Sequence, residues 1–132
     1  MFLLDTNIFL EYILGRSHVG EVRDFFQRAD LTTLHMSDFS LHSIGVIFLR
    51  EHKSREFLTF VNDDIIAGGI RVISLPTDHF SKITRAADRF HLDFDDAYQY
   101  AIAEQFGFSI VSFDKDFDRT EKGRVEPQDL FR

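Results

Sequence analysis

Four aspartates stand where a chain of this pattern can bring them together. Asp5 ends the apolar run of residues 1–4, Asp114 and Asp116 directly follow the apolar run of residues 108–113, and Asp96 lies in the first turn of the helix leading into that second run. If both runs are adjacent parallel strands, the acids project from one edge of a sheet. Carboxylates packed so closely repel one another and raise each other's pKa unless cations neutralise them. Oxygen ligands without Cys or His select hard ions, so Mg2+ or Mn2+ is the expected occupant, in the setting of phosphate chemistry. One such ion can turn a bound water into hydroxide, and a second can hold the leaving oxygen. Each acid also has a purely structural reading. Asp5 is a plausible helix cap, Asp95 and Asp96 suit a helix dipole, and Asp114, Asp116 and Asp118 could form a solvated turn with Lys115 and Arg119. Their coincidence at strand ends favours a site.

The elements that must position these acids can be read from periodicity and caps. Residues 1–4 predict a buried strand, followed by a helix capped by Thr6 or Asn7, carrying Ile8, Phe9, Tyr12 and Ile13, and closed by Gly15. Ser17 opens a second helix with Val22, Phe25 and Phe26 on one face. Residues 31–36 read as a strand, after which Ser37 and Asp38 cap a helix bearing Leu41, Ile44, Ile47 and Phe48. Ser54 caps the next helix, closed by Gly68-Gly69. Residues 71–75 form a third strand, stopped by Pro76, and Thr77 caps a helix with Phe80, Ile83, Ala87 and Phe90. Asp93 or Asp95 caps a further helix with Ala97, Tyr98, Ala101 and Ile102, ended by Gly107. The run 108–113 has the continuous apolar character of a buried parallel strand, and residues 124–126 are a candidate last edge strand. Strands alternate with helices throughout, which predicts one α/β domain over residues 1–132, its parallel sheet covered on both faces.

Bulk composition narrows the function. The chain has 132 residues and no cysteine, which excludes disulfides, zinc–thiolate sites and thiol catalysis. A net charge of -7 argues against binding nucleic acid by charge alone, yet it suits carboxylates that hold metal ions. No apolar run approaches the 18 or so residues of a membrane span, and no basic leader precedes Asp5, so no membrane role and a cytoplasmic setting are expected.

With these residues in view the chain resembles the PIN-domain proteins, of the small VapC-like toxin kind. The matching segments are Phe2-Leu3-Leu4-Asp5-Thr6-Asn7, then Asp95-Asp96-Ala97 with Ala101 and Ala103, and last Ile110-Val111-Ser112-Phe113-Asp114-Lys115-Asp116-Phe117. The resemblance implies a three-layer α/β/α fold around a parallel sheet of about five strands. It implies Mg2+- or Mn2+-dependent endoribonuclease activity, with Asp5, Asp96 and Asp114 as metal-binding carboxylates and Asp116 as a supporting acid. Asp96 is preferred to Asp95 because the family's acid directly precedes the alanine. Thr6 and Ser112 are implied as hydroxyls that orient the carboxylates; Lys115 and Arg119, basic groups near the site by their position, could place the phosphate backbone of RNA on either side. The partners implied are RNA, a small antitoxin and a second copy of the chain. One departure stands out: the glutamate that the family places in the helix after the second strand aligns with Ser43. Asp38, at the mouth of that strand with His42 one helical turn on, could supply a replacement carboxylate. The departure keeps open an alternative, a PIN-like binding module whose degenerate metal site does not cleave.

Overall fold

The computed structural model describes residues 1–131. Four strands, β1 (Phe2–Leu4), β2 (Leu34–Ser37), β3 (Arg71–Ile73) and β4 (Ser109–Val111), pair in parallel in the order β3-β2-β1-β4. Between β1 and β2 run helices α1 (Thr6–Leu14) and α2 (Val19–Arg28). Helices α3 (Asp38–Arg50) and α4 (Ser54–Phe60) lie between β2 and β3, and α4 continues as a π-helical stretch over Val61–Ala67. Helices α5 (Ser81–Phe90) and α6 (Phe94–Phe106) lead from β3 to β4.

Alternation along the strands splits the core in two. Leu3 and Ile110 point to one cluster, packed under α5 and α6 with Ile83, Phe90, Ala101 and Ile102. Leu4 and Val111 point to the other, with Ile8, Phe9, Phe25, Ile44 and Phe48 from α1, α2 and α3. Successive side chains of a strand face opposite ways, so these two clusters are the two sides of one sheet and the fold is three-layered, as expected. By the same alternation Asp5 and Ser112, each one residue beyond a strand, fall on the α6 side.

The sheet has four strands where about five were expected. Val125 does reach it, donating its N–H to Ile110 O at 2.9 Å and accepting from Ser112 N–H at 3.0 Å. The pairing stops at that residue because Pro127 has no N–H to continue a ladder and instead opens a 3-10 turn. All four strands are shorter than the runs suggested, 108–113 pairing only over Ser109–Val111, and at β2 and β3 the cause is visible. Asp30 accepts hydrogen bonds from Thr32 N–H and Thr32 Oγ1, which winds Leu31–Thr33 into a 3-10 turn before β2. The Leu75 N–H, beyond the end of β3, donates to the Tyr98 hydroxyl.

The order of the strands decides where a ligand can sit. From β1 the chain steps outward to β2 and β3, then returns to place β4 on the other side of β1. The connections after β1 and β4 therefore diverge, and the crevice at such a reversal, outside the carboxyl ends of the strands, is where open α/β sheets bind ligands.

Candidate metal centre

At that crevice the structure brings Asp5, Asp96 and Asp114 together, with one carboxylate oxygen of each lying within 4.8 Å of the others. Asp5 is placed by the end of β1 and is itself the N-cap of α1, accepting from Thr6 N–H at 2.7 Å. The sequence left that cap open among Asp5, Thr6 and Asn7; the Asp5 carboxylate takes it, and so is fixed before any ligand arrives. Asp96 sits in the first turn of α6, whose N-cap is Asp93, accepting from Asp96 N–H at 3.2 Å. Asp95, the rejected neighbour, is exposed. Asp114 follows β4 and caps the 3-10 turn Lys115–Arg119, accepting from Asp116 N–H at 2.8 Å.

Ser112 ties two of the acids. Its Oγ donates to Asp5 Oδ2 at 2.6 Å and accepts from Asp114 N–H at 2.9 Å, fully buried. Thr6 contributes differently from what was expected: its amide holds Asp5, but its hydroxyl donates to Ser40 Oγ at 2.8 Å and reaches no carboxylate. Ser40 in turn accepts from Ser37 Oγ at 3.1 Å, so a hydroxyl chain links α1 to the start of α3.

The remaining candidates lie outside the three-carboxylate group. Asp116 turns away to Arg119, with Nη1 to Oδ1 at 3.1 Å. Arg119 also donates to Phe90 O and His91 O at the end of α5, so its guanidinium is committed to holding this loop. Lys115 is exposed beside Asp114. Asp38 accepts from the Tyr98 hydroxyl at 2.8 Å and from Phe39 N–H at 2.9 Å, which makes it a strut between α3 and α6. Ser43 is half-buried and His42 exposed on α3. Sequence reasoning missed Gln99, whose Nε2 donates to Asp5 Oδ1 at 2.6 Å. The available signal was its spacing, three residues after Asp96 and hence on the same helical face.

Electrostatics mark the group as unfinished. Burial pushes the Asp5 carboxyl up, against the hydrogen bonds from Ser112, Gln99 and Thr6 that favour its charged form. Asp96 is pushed up to about 8, first by burial and then by the charges of Asp5, Asp114 and Asp93. Among the described residues no lysine or arginine pairs with Asp5, Asp96 or Asp114. Three near carboxylates without a counter-charge fit a hard divalent cation of the Mg2+ or Mn2+ type.

The PIN domain family model matches residues 2–123. No curated protein matches the chain by sequence. Solved structures resemble it over almost its whole length. A toxin–antitoxin complex from Klebsiella pneumoniae aligns with a TM-score of 0.76 at 19% identity, covering 96% of this chain and 98% of its own. VapC20 from Mycobacterium tuberculosis, a toxin that cleaves the sarcin–ricin loop, gives 0.80 at 17% identity, covering 96% and 100%. FitAcB from Neisseria gonorrhoeae gives 0.70 at 22%, covering 96% and 98%. At these identities the likeness is one of fold.

Proposed function

The chain belongs to the PIN-domain family, and from that premise we propose that it is a Mg2+- or Mn2+-dependent endoribonuclease, the toxin of a toxin–antitoxin pair. The observation that carries this reading is the uncompensated group of Asp5, Asp96 and Asp114 at the sheet's reversal point. These three would hold the ion, which when bound supplies an activated water and charge stabilisation for phosphodiester hydrolysis. The protein's own residues set the stage for that chemistry. Thr6 N–H, Ser112 Oγ and Gln99 Nε2 all donate to Asp5, so its carboxylate is held in one orientation by bonds that oppose the upward push of burial on its pKa. Ser112 couples the position of Asp5 to that of Asp114, so the two ligands move as a unit. Asp116 supports the site indirectly, by anchoring Arg119 and with it the turn that carries Asp114. Lys115, exposed next to that turn, is the group we assign to the RNA backbone.

The likeness to VapC20 and to a toxin–antitoxin complex supports an RNA substrate and a small antitoxin partner. We place the protein in the cytoplasm as one domain over residues 1–132; no described helix is long and apolar enough to cross a membrane. Val46 and Leu49, exposed and one turn apart on α3, supply apolar surface for a second copy, which sedimentation equilibrium would register as a dimer.

The test is cleavage of a structured RNA with Mn2+ or Mg2+ against the same reaction in EDTA. Cleavage should require the metal and fall at least a hundredfold in Asp5→Asn. Equal cleavage by wild type and Asp5→Asn would sink the mechanism. A second reading, a binding module that does not cleave, is favoured by the placement of Ser43 and Asp38 outside the acid group, which leaves three carboxylates and no glutamate. Mn2+ binding without cleavage of any RNA offered would select it.

A further inference from the structure

The amide of Gln99 is only half used. Its Nε2 donates to Asp5 Oδ1, while its Oε1 is buried without a hydrogen-bond partner, on a residue only 2% exposed. Asp5 Oδ1 also receives Thr6 N–H, so that oxygen is an acceptor and the amide cannot turn over without setting oxygen against oxygen. The orphaned Oε1 is thereby fixed within one amide width of the Asp5 contact. A buried acceptor left unpaired costs about as much as a lost hydrogen bond, and such atoms persist where a water, an ion or a function uses them.

Its surroundings say which use fits. Gln99 stands one turn after Asp96 on α6, so both side chains leave the same face of one helix and converge on Asp5. A Mg2+ or Mn2+ ion held by a few carboxylates keeps several waters of its own, and those waters need acceptors. Groups that orient ligands around a metal in this way influence its affinity without touching it.

We propose that Gln99 is a positioning residue of the metal centre: Nε2 holds Asp5, and Oε1 accepts a hydrogen bond from a water of the hydrated cation. This inference rests on the metal-centre reading given above. It supplies from α6 an acceptor oxygen beside the Asp5 and Asp96 carboxylates.

The experiment is calorimetric titration of the full chain with MnCl2 alone, using wild type, Gln99→Met and Gln99→Glu, with the melting temperature of each metal-free protein recorded alongside. Gln99→Met removes donor and acceptor at similar volume and should weaken Mn2+ binding by roughly ten- to a hundredfold, the span found for groups that orient metal ligands. Gln99→Glu, protonated in this buried and acidic setting, offers its O–H to Asp5 Oδ1 and an acceptor oxygen in place of Oε1, and should recover at least tenfold of that loss. Unchanged affinity in Gln99→Met overturns the proposal. So does a Gln99→Glu that binds no better than Gln99→Met, because the residue would then serve only as a prop for Asp5. If Gln99→Met does not fold, Gln99→Asn withdraws the same amide by one methylene and carries the same expected loss and the same refutation. A wild-type chain that binds no Mn2+ at millimolar concentration removes the metal-centre reading itself, a result distinct from either outcome above.

Discussion

Asp96 is held against its ordinary chemistry, because burial and the charges of Asp5 and Asp114 both favour its protonated form. Its pKa is about 8 in the folded chain against an ordinary 3.8. Between those values the folded chain binds a proton that the unfolded chain has released. Stability therefore falls as pH rises from about 4 to about 8, and Asp5, raised in the same sense, adds to the slope. The metal-free protein should melt at progressively lower temperature across that window, and Asp96→Asn should flatten the fall; a level wild-type profile would contradict the arrangement. The acids themselves were legible in the sequence because each directly follows an apolar run or opens a helix. Gln99 was not, because it lies in Ala97–Ala103, where every residue is buried. A helix apolar all round gives no polar face against which one amide stands out. Asp38 misled for the opposite reason: its position at a strand mouth was right for a ligand, but the Tyr98 hydroxyl, sixty positions on in sequence, claims it.

At the scale of the element, the glycine-closed helix ends were read most securely, whereas the starts given to Ser17, Ser54 and Thr77 fall at His18, Lys53 and Phe80. Gly15 and Gly107 both adopt left-handed φ, +66° and +74°, one residue after the helices they close. Nothing lies within 4 Å of a methyl placed on Gly107, so Gly107→Ala adds backbone strain and no clash. It should cost about 1 kcal/mol, read as a lower denaturation midpoint with an unchanged slope. A larger cost would mean that the turn into β4 depends on more than its dihedral angle. Strand ends were less legible, since they are decided by partners remote in sequence. Residues 31–33 carry good strand formers, yet the side chain of Asp30 captures them in a turn. The 124–126 segment reaches the sheet through Val125 alone, because Pro127 has no N–H to continue the ladder and the Arg124 side chain takes Ser112 O instead.

At the scale of the whole molecule, the two cores and the acid group pull in opposite directions. Phe9, Phe25, Phe48 and Phe117 are fully buried and stabilise the three layers, while the clustered carboxylates at their edge subtract from that stability. A cation that binds only the folded form reverses the subtraction. Mn2+ at a hundred times its dissociation constant should add about 2.7 kcal/mol, measured as a rise in melting temperature that EDTA abolishes. The rise should be larger at pH 8 than at pH 6, since the ion displaces the proton that Asp96 otherwise retains.

The strand order has a consequence in time as well as in space. β1 lies between β2 and β4, and β4 is made after the other three described strands. Asp5 is thus made well before Ser112 and Asp114, and it gains them only when β4 docks beside it. A nascent chain stalled short of that strand carries Asp5 and Asp96 without Asp114, with β1 still lacking a neighbour on one edge. The order of synthesis therefore withholds the centre: its three carboxylates cannot meet on any chain that lacks β4 and the residues just beyond it.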